Sequence, residues 1–152
     1  MKKDNFKKIV ADKTLVKQKS DYFLGEAILH DVSTKIKVSG QKVYFVRFKN
    51  GAKTKLHCHE GEQILVVTEG TGALAFYKKH GMEDKKITIK LESKTKLKAG
   101  DVVCIPKGVL HWHGAEKRNH FSHIAFNAFT KERESKTFWY DSDFLSVATQ
   151  IS

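Results

Sequence analysis

The stretch Gly51-Ala52-Lys53-Thr54-Lys55-Leu56-His57-Cys58-His59-Glu60-Gly61-Glu62-Gln63 decides the fold. Its counterpart is Gly100-Asp101-Val102-Val103-Cys104-Ile105-Pro106-Lys107-Gly108-Val109-Leu110-His111-Trp112-His113-Gly114. In a strand, alternate side chains point to the same face. His57 and His59 therefore project together, and Cys58 projects away. A turn at Glu60-Gly61-Glu62 bends the chain so that Gln63 returns to the same point. His111 and His113 repeat the arrangement on a second strand. Imidazoles suit Zn, Mn, Fe, Ni or Cu, and an amide oxygen favours the harder end of that range. His57, His59, Gln63 and His111 read as a four-ligand metal site.

A lone His-x-His on a surface strand usually binds nothing. The joined pattern is more specific: His-x-His, Gln four residues after the second His, then Gly-Asp, Pro106, Gly108 and His111. It resembles the two halves of the cupin signature, with Gln63 where most cupins carry Glu. The resemblance covers about residues 20 to 130. Gly51-Ala52-x-Thr54, Gln63-x-Leu65-x-Val67, Gly70-x-Gly72 and His111-Trp112-His113-Gly114-Ala115 are similar to small single-domain cupins with a His-His-Gln-His site. Such relatives include cupins linked to carboxymuconolactone decarboxylases and manganese cupins with hydroxynitrile lyase activity.

The resemblance implies an all-β, antiparallel jelly-roll β-barrel. It places His111, and not His113, on the metal. It implies one divalent transition metal per chain, Mn or Fe first, with Ni or Zn also compatible. In the hydroxynitrile-lyase-type relatives, the residues matching His113 and His123 sit beside the metal and are implicated in proton transfer. Tyr44, Val46 and Asn127 match pocket-lining positions. Three residues depart from the pattern: Asn50 and Glu60 stand where prolines are usual, and Leu56 where tryptophan is. They alter the pocket rim and leave the four ligands untouched, so they bear on the substrate.

A chain of 152 residues fits one domain. The expected division is an N-terminal arm over 1–19, a barrel over 20–130 and a C-terminal helical segment over 131–152. A hydrophobic fraction of 40% argues for a folded globule. No apolar run is long enough for a transmembrane helix, and the basic N-terminus leads into no apolar segment of a signal peptide. A cytoplasmic protein with free, buried thiols at Cys58 and Cys104 is expected. The net charge of +11 raises the question of nucleic acid. The positive groups are nearly all dispersed lysines, and Lys94-Thr95-Lys96-Leu97-Lys98 alternates like a solvated sheet face. The expected partners are a small-molecule substrate and a second copy of the chain, with the N-terminal arm and the strand near Ile28 as candidate interface, and neither nucleic acid nor membrane.

In chain order, Phe6, Ile9, Val10, Leu15 and Val16 mark a short helix or arm. Residues 22 to 30 read as a strand with Gly25 as a bulge or a close approach. Lys35-Ile36-Lys37-Val38 alternates as a strand would. Val43 to Phe48 is β-rich and stops at Asn50-Gly51, a turn dipeptide. Ile64 to Thr68, Ala73 to Tyr77, Lys86 to Leu91 and Val102 to Ile105 follow as strands. The hairpin over 77–91 is longer than the resemblance requires. His123, Ala125 and Asn127 share one face of the next strand. Beyond Thr130, an aromatic stretch leads to a capped helix from about Ser142.

Three functions remain open. One is a metal-dependent enzyme doing lyase-type acid/base chemistry on a small oxygenated substrate, with His113 and His123 as the proton-moving residues. Another is a metal-dependent dioxygenase. The third is a non-enzymatic module that holds a small ligand or metal. The two extra histidines favour the first.

Overall fold

The computed structural model describes residues 1–12, 16–17 and 21–151. Of the expected N-terminal arm, Leu15 lies outside the described residues. Helix α1 (Phe6–Ala11) is opened by Asn5, whose side chain accepts from the Lys8 amide. It turns Ile9 inward to 3% exposure and sets Phe6 edge-on to Phe45, with ring centroids 5.3 Å apart. The arm thus packs on its own chain's sheet.

Strands β1 (Val16–Lys17), β2 (Phe23–Leu24) and β3 (Ala27–Asp31) follow. Gly25, at φ +84°, separates β2 from β3 where one bulged strand was expected. The alternation over 35–38 does not make a strand. Helix α2 (Val32–Ile36) occupies that place. Asp31 caps it by accepting from the Thr34 amide at 3.0 Å, and Lys37 closes it in the left-handed region at φ 52°. The cap outweighs the weak period-two signal.

The barrel strands are β4 (Gln41–Phe48), β5 (Lys53–Thr54), β6 (Leu56–His59), β7 (Gln63–Glu83), β8 (Lys86–Lys98), β9 (Val102–Ile105), β10 (Leu110–Ala115) and β11 (Phe121–Ala128). One sheet runs β3, β4, β11, β7 and β9, all antiparallel. The other runs β2, β5, β10 and β7. Strand β7 serves both, turning at Gly70 (φ +77°). Between the sheets lies a core of Val46, Phe48, Leu65, Val67, Leu97, Ile105, Phe121 and Ala125. Each such large side chain contributes roughly 1.5–3 kcal/mol on burial. This is the antiparallel jelly roll that the cupin resemblance implied.

The expected C-terminal helix is absent. Residues 137–150 form a hairpin of β12 (Thr137–Ser142) and β13 (Val147–Gln150). The expected helix start was about Ser142; the next residue, Asp143, does make capping bonds, but they close a turn: the carboxylate accepts from the amides of Leu145, Ser146 and Val147 at 2.8–3.0 Å. An Asp that satisfies three successive amides ends a hairpin as readily as it starts a helix.

This hairpin gives the long β7–β8 extension its partner. Val147, Ala148 and Thr149 pair with Thr88, Ile87 and Lys86. On the other side, β12 pairs with β6 through Thr137 to Tyr140. Strands β7, β8, β13, β12, β6 and β10 thereby close a second ring. Its interior is apolar: Leu56, Cys58, Tyr77, Ile87, Ile89, Leu110, Trp112 and Tyr140. The Cys58 thiol is free and buried there, whereas Cys104 on β9 is free and exposed, where a buried thiol was expected. Strands β6 and β10 are the wall common to both compartments and are buried along their whole length. Parity then sorts their side chains. Leu56, Cys58, Leu110 and Trp112 face the second ring, and the four histidines face the jelly-roll cavity.

Candidate metal centre

His57 stands directly opposite His111 in the β6–β10 register, with ring centroids 4.1 Å apart. The His59 ring lies 5.0 Å from that of His57 and 5.5 Å from that of His111. One nitrogen of each ring is anchored. Nδ1 of His57 lies 2.9 Å from the Lys55 carbonyl, and Nδ1 of His111 lies 2.8 Å from the Val109 carbonyl. A carbonyl only accepts, so both Nδ1 atoms carry the proton and both Nε2 atoms keep a lone pair. Nδ1 of His59 lies 2.8 Å from Oγ1 of Thr137. Gln63 is held the same way: its Nε2 donates to Oδ1 of Asn127 at 2.7 Å, which leaves Oε1 free.

Nε2 of His59, Nε2 of His111, Oε1 of Gln63 and Nε2 of His113 are all buried with no hydrogen-bond partner. Each such atom costs roughly 1–3 kcal/mol if nothing meets it. Lone-pair donors gathered in one place, each with its opposite atom anchored, fit a divalent cation. The ligand atoms of His57, His111 and His113 all lie within 4.8 Å of one another. The structure therefore brings His113 into the cluster beside His57 and His111.

Burial pushes all these imidazoles below their usual range. His59 falls to about 4, where its contact with Gln63 opposes the shift. His111 and His123 fall to about 3, chiefly through burial, with the neighbouring His59 adding to it at His111. His57 and His113 lie well below the ordinary value, again first through burial and then through the surrounding histidines. Neutral rings release no proton on binding a metal.

His123 reaches in from β11, opposite Val46 and Val67. It is fully buried, and its Nε2 lies 3.0 Å from Nδ1 of His113. A cavity of about 560 Å³ opens over the cluster. Its walls include Tyr44, Val46, Asn127, His57, His59, Gln63, His113 and His123, and His111 is not among the lining residues. Burial raises the Tyr44 phenol far above its usual range, helped by the charges of Asp31 and Glu134, so the hydroxyl stays a donor.

Two residues that support the cluster were missed in the sequence. Thr137 anchors His59, and Trp139 stacks on His57 with centroids 4.3 Å apart and planes at 23°. Tyr22 covers the far face of Trp139 at 4.5 Å and 15°. Thr137-Phe138-Trp139-Tyr140 is a β-branched and aromatic run with period two, which is a strand signal. Read as a strand, it puts Thr137 and Trp139 on one face.

A closed antiparallel jelly roll with histidines gathered on one inner wall defines a class of barrel proteins with a metal site. The chain belongs to the cupin family, whose profile matches residues 25–151. A cupin-like protein from Thermotoga maritima is 35% identical and superposes with a TM-score of 0.63, over 83% of this chain and 84% of that one. A sugar phosphate isomerase of the cupin superfamily from Silicibacter pomeroyi is 19% identical, with a TM-score of 0.58 over 77% of this chain and 67% of that one. Oxalate decarboxylase from Bacillus subtilis is 14% identical, with a TM-score of 0.55 over 76% of this chain and 28% of that one. The last two likenesses carry the fold alone. No curated protein sequence matches the chain.

Proposed function

We propose that this cupin is a metal-dependent enzyme that performs lyase-type acid/base chemistry on a small oxygenated substrate, with His57, His59, Gln63 and His111 as the metal ligands. The observation that carries the reading is the set of buried, partnerless atoms on His59, Gln63 and His111, each fixed by an anchor on its opposite side. Three imidazole nitrogens and one amide oxygen favour Mn or Fe over softer ions. The reading also follows the resemblance to manganese cupins with hydroxynitrile lyase activity.

The metal, when bound, supplies Lewis-acid polarisation of a substrate oxygen. The chain's own groups do the rest. Asn127 holds the Gln63 amide, Thr137 and Trp139 hold the two β6 imidazoles, and the apolar second ring stiffens the wall behind them. His113 takes up the substrate proton at Nε2, and the 3.0 Å contact from its Nδ1 to His123 spreads the charge over both rings.

A second ligand set has its own support: the ligand atoms of His57, His111 and His113 all lie within 4.8 Å of one another. Elemental analysis of single variants separates the two. Under the proposal, His59→Ala and Gln63→Ala lose metal and His113→Ala keeps it. The reverse pattern makes His113 a ligand and removes it from proton transfer. Oxygen consumption across a substrate panel, absent under the lyase reading, distinguishes the dioxygenase alternative. A homodimer is part of the proposal, supported by Ile64 and Val102, which are 42% and 64% exposed on the outer sheet face. Light scattering that gives a stable 17.3 kDa monomer at micromolar concentration contradicts it.

A further inference from the structure

The cavity mouth holds three hydrogen-bond donors on neighbouring positions. Lys42 and Tyr44 are two residues apart on β4 and face the same side, roughly 7 Å apart along the strand. Asn127 lies directly across from Lys42 on one side and from Gln63 on the other. All three line the cavity. The Asn127 oxygen is committed to Gln63, which leaves its Nδ2 as a donor. The Tyr44 hydroxyl is protonated and has no hydrogen bond among the described residues.

Charge points the same way. The described cavity wall carries Lys42 and Lys136 against one acid, Glu134; Lys136 and Glu134 are both exposed, and Asp31 lies behind Lys42, which leaves Lys42 as the partly buried charge on that wall. Lys42 is partly buried and forms an ion pair with the buried Asp31 at 3.6 Å, longer than a hydrogen bond. Asp31 is already satisfied by the Ser33 hydroxyl at 2.6 Å, the Thr34 amide at 3.0 Å and the Thr34 hydroxyl at 2.9 Å. Lys42 can therefore turn to a ligand without stranding that carboxylate. The proposed donor set of histidines and glutamine is uncharged as well, so none of the proposed ligands offsets the charge of a divalent ion.

We propose that the substrate is a small carboxylate anion and that Lys42, Tyr44 and Asn127 bind its carboxylate. The three donors stand on their own geometry. The charge argument rests on the metal reading above.

Calorimetric titration of manganese-treated protein with glycolate, and with its neutral amide glycolamide, tests this. Glycolate is expected to bind about tenfold or more tightly than glycolamide. Lys42→Met should erase the preference, and Lys42→Arg, which keeps the charge and controls for folding, should retain it. Equal binding of the two compounds, binding of neither, or an unchanged preference in Lys42→Met overturns the proposal. Manganese content measured on the same samples keeps the two readings apart. Full loading without a preference removes the carboxylate and leaves the metal. A preference that depends on Lys42 in protein that takes up no manganese does the opposite.

Discussion

Nδ1 of His59 meets Oγ1 of Thr137 across the β6–β12 pair, at 2.8 Å, and the two residues are direct cross-strand partners. The hydroxyl fixes one nitrogen of the ring so that the other faces the cluster. Loss of such an outer partner costs typically 10–100-fold in metal affinity. Thr137→Val is nearly the same size and should weaken metal binding by about that factor, whereas Thr137→Ser should restore it. Competition with a metal-sensitive chelating dye measures both. Equal affinity in all three proteins would remove Thr137 from the site.

His57 and His111 face each other in register and share the wall between two buried compartments. We expect one divalent ion per chain in the wild type and none in the double variant His57→Ala, His111→Ala. Elemental analysis checks this against the wild type. The second ring should hold the variant folded, because Leu56, Leu110 and Trp112 on the other face are untouched. Circular dichroism on the same sample tells lost metal from lost fold.

The jelly roll was legible through the motif resemblance, and the shared faces of the site histidines because parity is a short-range property. His57 and His59, or His111 and His113, need only a strand to share a face. The C-terminal hairpin was not legible, since Asp143 makes the same first-turn hydrogen bonds whether a helix or a turn follows. The second ring was hidden for a different reason. Lys86-Ile87-Thr88-Ile89-Lys90-Leu91 alternates identically whichever strand it faces, and only the pairing of Ile87 with Ala148, some sixty residues away, says which. Thr137 and Trp139 were lost with the hairpin that carries them.

The same aspartate gives a pH prediction. The Ser146 hydroxyl, then the amides of Val147, Ser146 and Leu145, hold the Asp143 carboxyl well below the usual carboxylate range. The folded state thus resists protonation while the unfolded chain takes up a proton near pH 4. Asp143 stabilises the fold above that pH and stops doing so as the pH falls further. Asp143→Ala should melt below the wild type at neutral pH. The gap should narrow as the pH drops below about 4. Thermal melts over a pH series read it, and a gap that stays constant throughout would contradict the assignment.

Gly114 lies where β10 meets β5, opposite Lys53. A Cβ there would strike the backbone Cα of Lys53 and come within 2.6 Å of the Ala52 carbonyl oxygen. Backbone atoms cannot rotate away as a side chain can. Gly114→Ala should therefore cost roughly 1–3 kcal/mol, the usual range for overpacking. Gly81, at a hairpin tip, has nothing within 4 Å of such a Cβ, but its φ of +61° disfavours one. Gly81→Ala should cost about 1 kcal/mol or less. Urea denaturation of both variants ranks them, and an equal cost would refute the packing argument.

His113 and His123 differ in what each can do for a substrate. Nε2 of His113 lies in the cluster with His57 and His111, and its Nδ1 meets His123. His123 is fully buried between Phe48 and Phe121, at ring-centroid distances of 5.6 Å to each. If the pair moves a proton, His113→Ala should lower kcat by roughly 10²–10⁴-fold with metal content near that of the wild type. His123→Ala should also lower kcat, by less, because His113 keeps its place and loses only the partner that shares the charge. It should lower the melting temperature too, since it leaves a cavity among aromatic rings. His111→Ala should remove metal and activity together. Metal content, melting temperature and turnover on the same three variants separate these roles. A His123→Ala protein that melts lower yet turns over normally per folded molecule makes His123 a packing residue. Unchanged kcat in both His113→Ala and His123→Ala, in an assay that depends on the metal, removes proton transfer from the pair.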